Sequence, residues 1–148
     1  TNGTIQTSDR NEKQDIETLS EAETRVAVAC KGLLRKFRWI DSVAEKGDEA
    51  RIHFGIIAQD LQDAFAAEGL DAGRYAMFIS STWWEAERVV PAVEEVLDDE
   101  GNVTTESVAE HTVIDGYESA EEAPEGAAER TRLGVRYPEL LAFIIAAI

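Results

Sequence analysis

The chain has 148 residues, 44% of them apolar, which suits one globular domain with a buried core. Its 30 acidic residues outnumber 14 basic ones, a formal net charge of −16. Such a polyanion is repelled by phosphate and by anionic lipid, so neither nucleic acid nor membrane is expected as a partner.

In chain order, Thr1–Thr7 lacks an initiator methionine, alternates weakly around Ile5, and reads as the extended end of an upstream segment. The start is polar, with no charged n-region and apolar h-region, so no signal peptide is read there. Ser8 and Lys13 follow, five residues apart, just ahead of the first apolar run. By itself that is a common surface pair. Thr18–Gly32 reads as a helix, with Ser20 as N-cap and Glu23 in the capping-box position. Val26, Ala29, Cys30 and Leu33 share one face of it at helical spacing. Cys30 is the only cysteine, which excludes an intrachain disulfide, and it suits a small buried apolar position.

Leu34–Ile40 alternates basic with aromatic or apolar residues and predicts a strand. Asp41–Asp48 reads as a loop, and Arg51–Gly55 as a second strand closing a hairpin. Ile56–Ala67 predicts a helix with an apolar stripe of Ile57, Leu61, Ala64 and Phe65, ended by Glu68-Gly69. Tyr75–Ile79 reads as a buried strand. Ser80-Ser81-Thr82 reads as a bend, and Trp83 and Trp84 as packing anchors. His53 and His111 are the only histidines and lack ligand spacing, so neither metal nor other cofactor is expected.

From Glu85 to Glu129 acidic residues dominate and Arg88 is the only basic one. Arg88–Leu97 and Val103–Ile114 lean towards strand around a turn signal at Asp98–Asn102, which predicts a long projecting hairpin. A hairpin with so few core residues needs a neighbouring subunit or a passenger chain, or else is a solvated insertion. Glu118–Arg130 reads as a flexible loop. Leu133–Tyr137 resembles a strand, and Pro138 opens a helix through Ile148 that is apolar nearly all round. Such a helix needs burial, which self-association about a symmetry axis supplies, and it is too short to span a membrane.

Three separated segments resemble one family, the endosialidase-type intramolecular chaperones of phage tail spikes and fibres, also called peptidase S74. They are Ser8-Asp9-Arg10-x-x-Lys13-x-Asp15-Ile16, His53-Phe54-Gly55-Ile56-Ile57-Ala58-Gln59-Asp60-Leu61, and Gly134-Val135-Arg136-Tyr137-x-x-Leu140-Leu141. Glu12 stands where the family usually has leucine. The resemblance implies an α+β fold: a small antiparallel sheet, two to three helices, the projecting hairpin, and a C-terminal helix at a trimer axis. It implies residues 1–7 as the end of an upstream passenger and 8–148 as the chaperone, with 85–130 projecting. The chaperone would drive trimerisation and folding of the fibre, then cut itself free at Thr7–Ser8. Ser8 would be the nucleophile and Lys13 the base, with Asp9, Arg10, His53 and Gln59 supporting or orienting them. Lysine accepts the serine proton only when neutral, which burial or a neighbouring cation such as Arg10 would favour. The implied partners are two further copies and the passenger of the same polypeptide. The implied setting is the bacterial host cytoplasm during assembly, the passenger ending in the virion tail. Two other readings fit the residues: a non-cleaving trimerisation module, and an acidic module that holds a host-surface ligand through the hairpin and Trp83-Trp84.

Overall fold

Helix α1 (Glu21–Lys31) begins where its capping residues dictate: Ser20 Oγ accepts from the Glu23 amide, and the Glu23 carboxylate accepts from the Ser20 amide. In the computed structural model, which describes residues 5–148, α1 is one of four α-helices in an α+β fold. Strand β1 (Leu34–Phe37) and strand β2 (His53–Ile56) pair antiparallel, with Leu34 opposite Ile56 and Phe37 opposite His53. The expected pairing is therefore present, but its connection is not a loop. Helix α2 (Ile40–Lys46) and a 3-10 turn at Gly47–Glu49 occupy it, so the strand predicted to Ile40 stops at Phe37. Helix α3 (Ala58–Ala67) follows β2 and buries Leu61 and Phe65.

The chain divides into two compact units. The first comprises the residues up to Phe78 together with Val135–Ile148. Its core is helical: Val26, Ala27 and Cys30 of α1 meet Leu61 and Phe65 of α3, and Leu140 and Ile144 of helix α4 (Tyr137–Ile145). Cys30 fills the expected apolar position; Ala27 is buried where Ala29 was predicted, because α1 is slightly rotated relative to the expected face. The Phe65 ring stacks on Phe143 at 5.8 Å and lies 4.6 Å from Tyr75. Ion pair Arg25–Glu68 (2.7 Å) and the bond from Lys31 Nζ to the Ala147 carbonyl (3.3 Å) tie α1 to the ends of α3 and α4. Pro138 sits within the first turn of α4, where its missing N–H costs nothing. Only one side of α4 is covered in the single chain: Leu141 and Ile145 are exposed, and the helix stops at Ile145 rather than running through Ile148 as expected.

The second unit is Ile79–Gly134. Strand β3 (Phe78–Val90) begins later than the strand predicted at Tyr75 and runs straight through Ser80–Thr82, where a bend was expected. Ser80, Ser81 and Thr82 are all exposed, so nothing apolar marks this part of the strand in the sequence; backbone pairing carries it. Strand β6 (His111–Tyr117) pairs antiparallel with β3, from Trp84 opposite Tyr117 to Val90 opposite His111. The same register continues through a bridge of Val93 with Val108 to Val96 opposite Thr105, where strands β4 (Val96–Leu97) and β5 (Val103–Thr105) pair, and shifts before Leu97, which lies opposite Val103. The predicted hairpin is thus present. The Asp98 carboxylate accepts from the amides of Glu100 and Asn102, and Gly101 takes the positive φ of 85° that the turn requires.

Strand β7 (Ala128–Val135) flanks β3 on its other side, giving the order β6-β3-β7. Two expectations are corrected here. The loop predicted to Arg130 ends before Ala128, and β3 finds a neighbouring strand within its own chain. Trp83 and Trp84 are half-buried anchors, as expected: the Arg132 guanidinium lies 5.1 Å above the Trp83 ring, and the Trp83 indole N–H donates to Glu85 at 2.9 Å.

Candidate functional site

Five residues of extended chain would hold Ser8 and Lys13 about 17 Å apart. A 3-10 turn at Arg10–Glu12 removes that distance. Asp9 caps it by accepting from the Asn11 amide at 2.9 Å, and the Glu12 and Lys13 amides donate back to the Asp9 and Arg10 carbonyls at 3.1 Å. Lys13 Nζ then donates to Ser8 Oγ at 2.9 Å, a close and direct contact between hydroxyl and amine. Ser8, Arg10, Lys13 and Ile16 line one shallow depression of about 200 Å³. All four residues are exposed in the single chain. Beyond Lys13, Asp15 takes a φ of 55°.

The residues named from the sequence separate into two groups. Arg10 lines the depression, Asp9 shapes the turn beneath it, and Thr7 precedes Ser8 on an exposed stretch. His53 and Gln59 are elsewhere. The His53 ring stacks on Phe37 at 5.9 Å and lies 6.0 Å from Trp39, while Gln59 is exposed in the first turn of α3. Among the described residues no hydrogen bond joins either side chain to Ser8 or Lys13. Ile16 is the lining residue that reading by chemistry passed over, since an isoleucine carries no reactive group.

The second and third sequence segments meet in one joint. The Tyr137 hydroxyl accepts from the Ile56 amide at 3.1 Å and makes a longer bond to the Ile56 carbonyl at 3.4 Å. Its oxygen lies directly over Gly55, where any Cβ would collide with it. Gly55 is therefore required by close approach rather than by backbone angle. Beside it, Arg136 pairs its amide with the Met77 carbonyl (2.8 Å) and its guanidinium with the Ala76 carbonyl (2.7 Å).

Titration is perturbed at structural groups of this unit. The Ser20 amide and then the Tyr75 hydroxyl, 2.7 Å away, hold the Glu23 carboxyl below its ordinary range; burial pushes the Cys30 thiol up. No cluster of His, Cys, Asp or Glu among the described residues is arranged to hold a metal ion, and no described helix is long and apolar enough to cross a membrane.

Residues 8–70 match the family described as chaperone of endosialidase. The chain is 37% identical over 140 residues to the "Probable tail spike protein" of Klebsiella phage 0507-KN2-1, which covers 94% of this chain and 10% of that protein. It is 49% identical over 49 residues to the tail spike protein of Escherichia virus K5, covering 32% of this chain and 8% of that one. The chain thus spans about a tenth of the length of these relatives. Among solved structures, the carboxy-terminal domain of the bacteriophage T5 L-shaped tail fibre with its intramolecular chaperone domain shares the fold. The TM-score is 0.65 at 22% identity, over 99% of this chain and 30% of that one. A second, described as a novel intramolecular chaperone, aligns with a TM-score of 0.53 at 27% identity, over 95% of this chain and 93% of that one. By its matching segment at residues 8–70, its relatives and its fold, the chain is similar to the endosialidase-chaperone, or peptidase S74, family.

Proposed function

We propose that this chain is the C-terminal intramolecular chaperone of a phage tail spike or fibre, and that it frees itself by cutting its own Thr7–Ser8 bond. Residues 1–7 are then the end of the passenger, 8–148 the chaperone, and 85–130 its projecting part. The observation that carries the reading is the 2.9 Å contact between Lys13 Nζ and Ser8 Oγ, set up by a turn that folds within the motif itself.

The chemistry follows from that contact. Neutral Lys13 takes the Ser8 hydroxyl proton, and Oγ attacks the Thr7 carbonyl carbon. The bond from the Thr7 carbonyl to the Ser8 nitrogen breaks, and that nitrogen leaves as an amine carrying a proton. The resulting Thr7 ester on Ser8 Oγ is opened by water, leaving a Thr7 carboxylate and a restored Ser8 hydroxyl. Arg10 lies on the rim of the same depression.

Solvent exposure of the pair in the single chain gives the reaction its timing. Assembly that covers the depression removes that solvent, so the pair becomes reactive only after folding is complete. The exposed apolar side of α4, with Leu141 and Ile145 one helical turn apart, supports association about a symmetry axis as a homotrimer. Loss of the chaperone then leaves the passenger kinetically trapped in its folded form. In a passenger-fused chain, Ser8→Ala and Lys13→Ala should each assemble yet remain uncut on a denaturing gel. Normal cleavage in both variants would remove Ser8 and Lys13 from the mechanism.

A further inference from the structure

Two residues past the lysine, the backbone does something that most side chains resist. Asp15 has a φ of 55°, in the left-handed region, and is the one non-glycine residue with positive φ among the described residues. Lys13 itself is extended (φ −120°, ψ 151°). Chain that continued extended from it would carry residue 16 about 10 Å away. Instead Ile16 lines the same depression as Ser8 and Lys13. Core packing does not explain that placement, because Ile16 remains 58% exposed. The Asp15 carboxylate does not explain it either; it meets Gln14 Nε2 at 3.3 Å and makes no bond to Ser8 or Lys13 among the described residues.

We infer that Asp15 is a positioning residue of the cleavage site: its left-handed backbone folds Ile16 back into the lining of the depression shared by Ser8 and Lys13, where it forms the apolar wall of that depression. The inference rests on the self-cleavage reading above. Aspartate and asparagine tolerate this region several-fold better than other side chains, glycine occupies it freely, and β-branched residues are excluded from it. A non-glycine residue held there at a reactive pair is the form in which backbone strain serves a site. Ile16 contributes no reactive atom; it shapes the depression in which the reacting groups lie.

The test uses passenger-fused chain, scoring the rate of cleavage alongside the melting temperature and oligomeric state. Asp15→Gly and Asp15→Asn should cleave within about twofold of wild type, because both accept the positive φ. Asp15→Val should slow cleavage roughly tenfold or more with assembly intact, and Ile16→Ser should do likewise while Ile16→Val stays near wild type. Rescue by glycine, which lacks any side chain, separates a backbone role from a carboxylate role. Asp15→Gly as slow as Asp15→Val, or Asp15→Val and Ile16→Ser both at the wild-type rate, would overturn the inference. In either case wild type still cleaves and Ser8→Ala does not, so the self-cleavage reading stands apart; an uncut wild type would instead defeat that reading.

Discussion

The two units of the chain solve the problem of folding in opposite ways. The first unit buries Val26, Leu61, Phe65 and Leu140 completely, behind three helices. In the second, no residue between Ile79 and Gly134 is buried, while Val89, Val93, Val108 and Ile114 stand exposed on the ribbon. That unit also carries fifteen acidic and three basic residues, −12 of the net −16. Its strands are held by backbone pairing, by the Trp83 cluster and by surface ion pairs such as Arg88–Asp115 (2.8 Å). The lesson is about division of labour. The first unit has a helical core of its own, although Ile40, Phe54 and Ile145 stand exposed on it; the ribbon has no buried core at all.

That contrast predicts unequal responses to truncation. Leu61→Ala should cost about 3 kcal/mol, because a fully buried leucine leaves a cavity among packed neighbours. The matching change on the ribbon, Ile114→Ala, should stay within about 0.5 kcal/mol in the unassembled chain, since that side chain is already 63% exposed. Denaturant unfolding of the two variants checks both, and equal losses would erase the distinction drawn here.

A smaller effect sharpens the first unit's side of the comparison. Tyr137→Phe should cost about 1 kcal/mol by leaving the Ile56 amide without its partner. Gly55→Ala should cost more than Tyr137→Phe, because the new methyl and the Tyr137 hydroxyl cannot share the space. In the double variant Gly55→Ala/Tyr137→Phe the collision is eased, so the two costs should combine to less than their sum. Simple additivity would show that the two residues do not act as one joint.

The smallest effect concerns pH. The Glu23 carboxyl is held below its ordinary range by the Ser20 amide and the Tyr75 hydroxyl. A depressed carboxylate contributes stability above its unfolded pKa of about 4.3, and that contribution is lost as pH falls through the folded value. Wild type should therefore melt higher than Glu23→Gln at neutral pH, with the gap closing as the pH falls below about 4. A gap independent of pH would mean the carboxylate charge is not what matters.

How far the residues announced this structure depends on which physical signal each element carries. Ser20 with Glu23 announced α1, and Asp98 with Gly101 announced the ribbon's turn, because capping and turn chemistry are written in local side chains. Helix α2 was hidden: its N-cap is Trp39, which makes no side-chain cap bond, and Trp39-Ile40 read as the end of a strand. β7 was hidden at its start because Glu129, Arg130 and Thr131 alternate nothing apolar. At the site, the pairing of Ser8 with Lys13 followed from the family resemblance and not from their spacing, and the turn that Asp9 caps between them was not read. The bend at Asp15 was not legible, since a positive φ leaves no mark on composition or periodicity.

The central claim is that the Ser8–Lys13 contact is reactive in the assembled chain. The most direct measurement is the intact mass and N-terminal residue of the domain released from a passenger-fused chain. The account predicts a fragment beginning at Ser8 and running to Ile148, absent from Ser8→Ala. A fragment beginning at any other residue, or one released equally from Ser8→Ala, would contradict it.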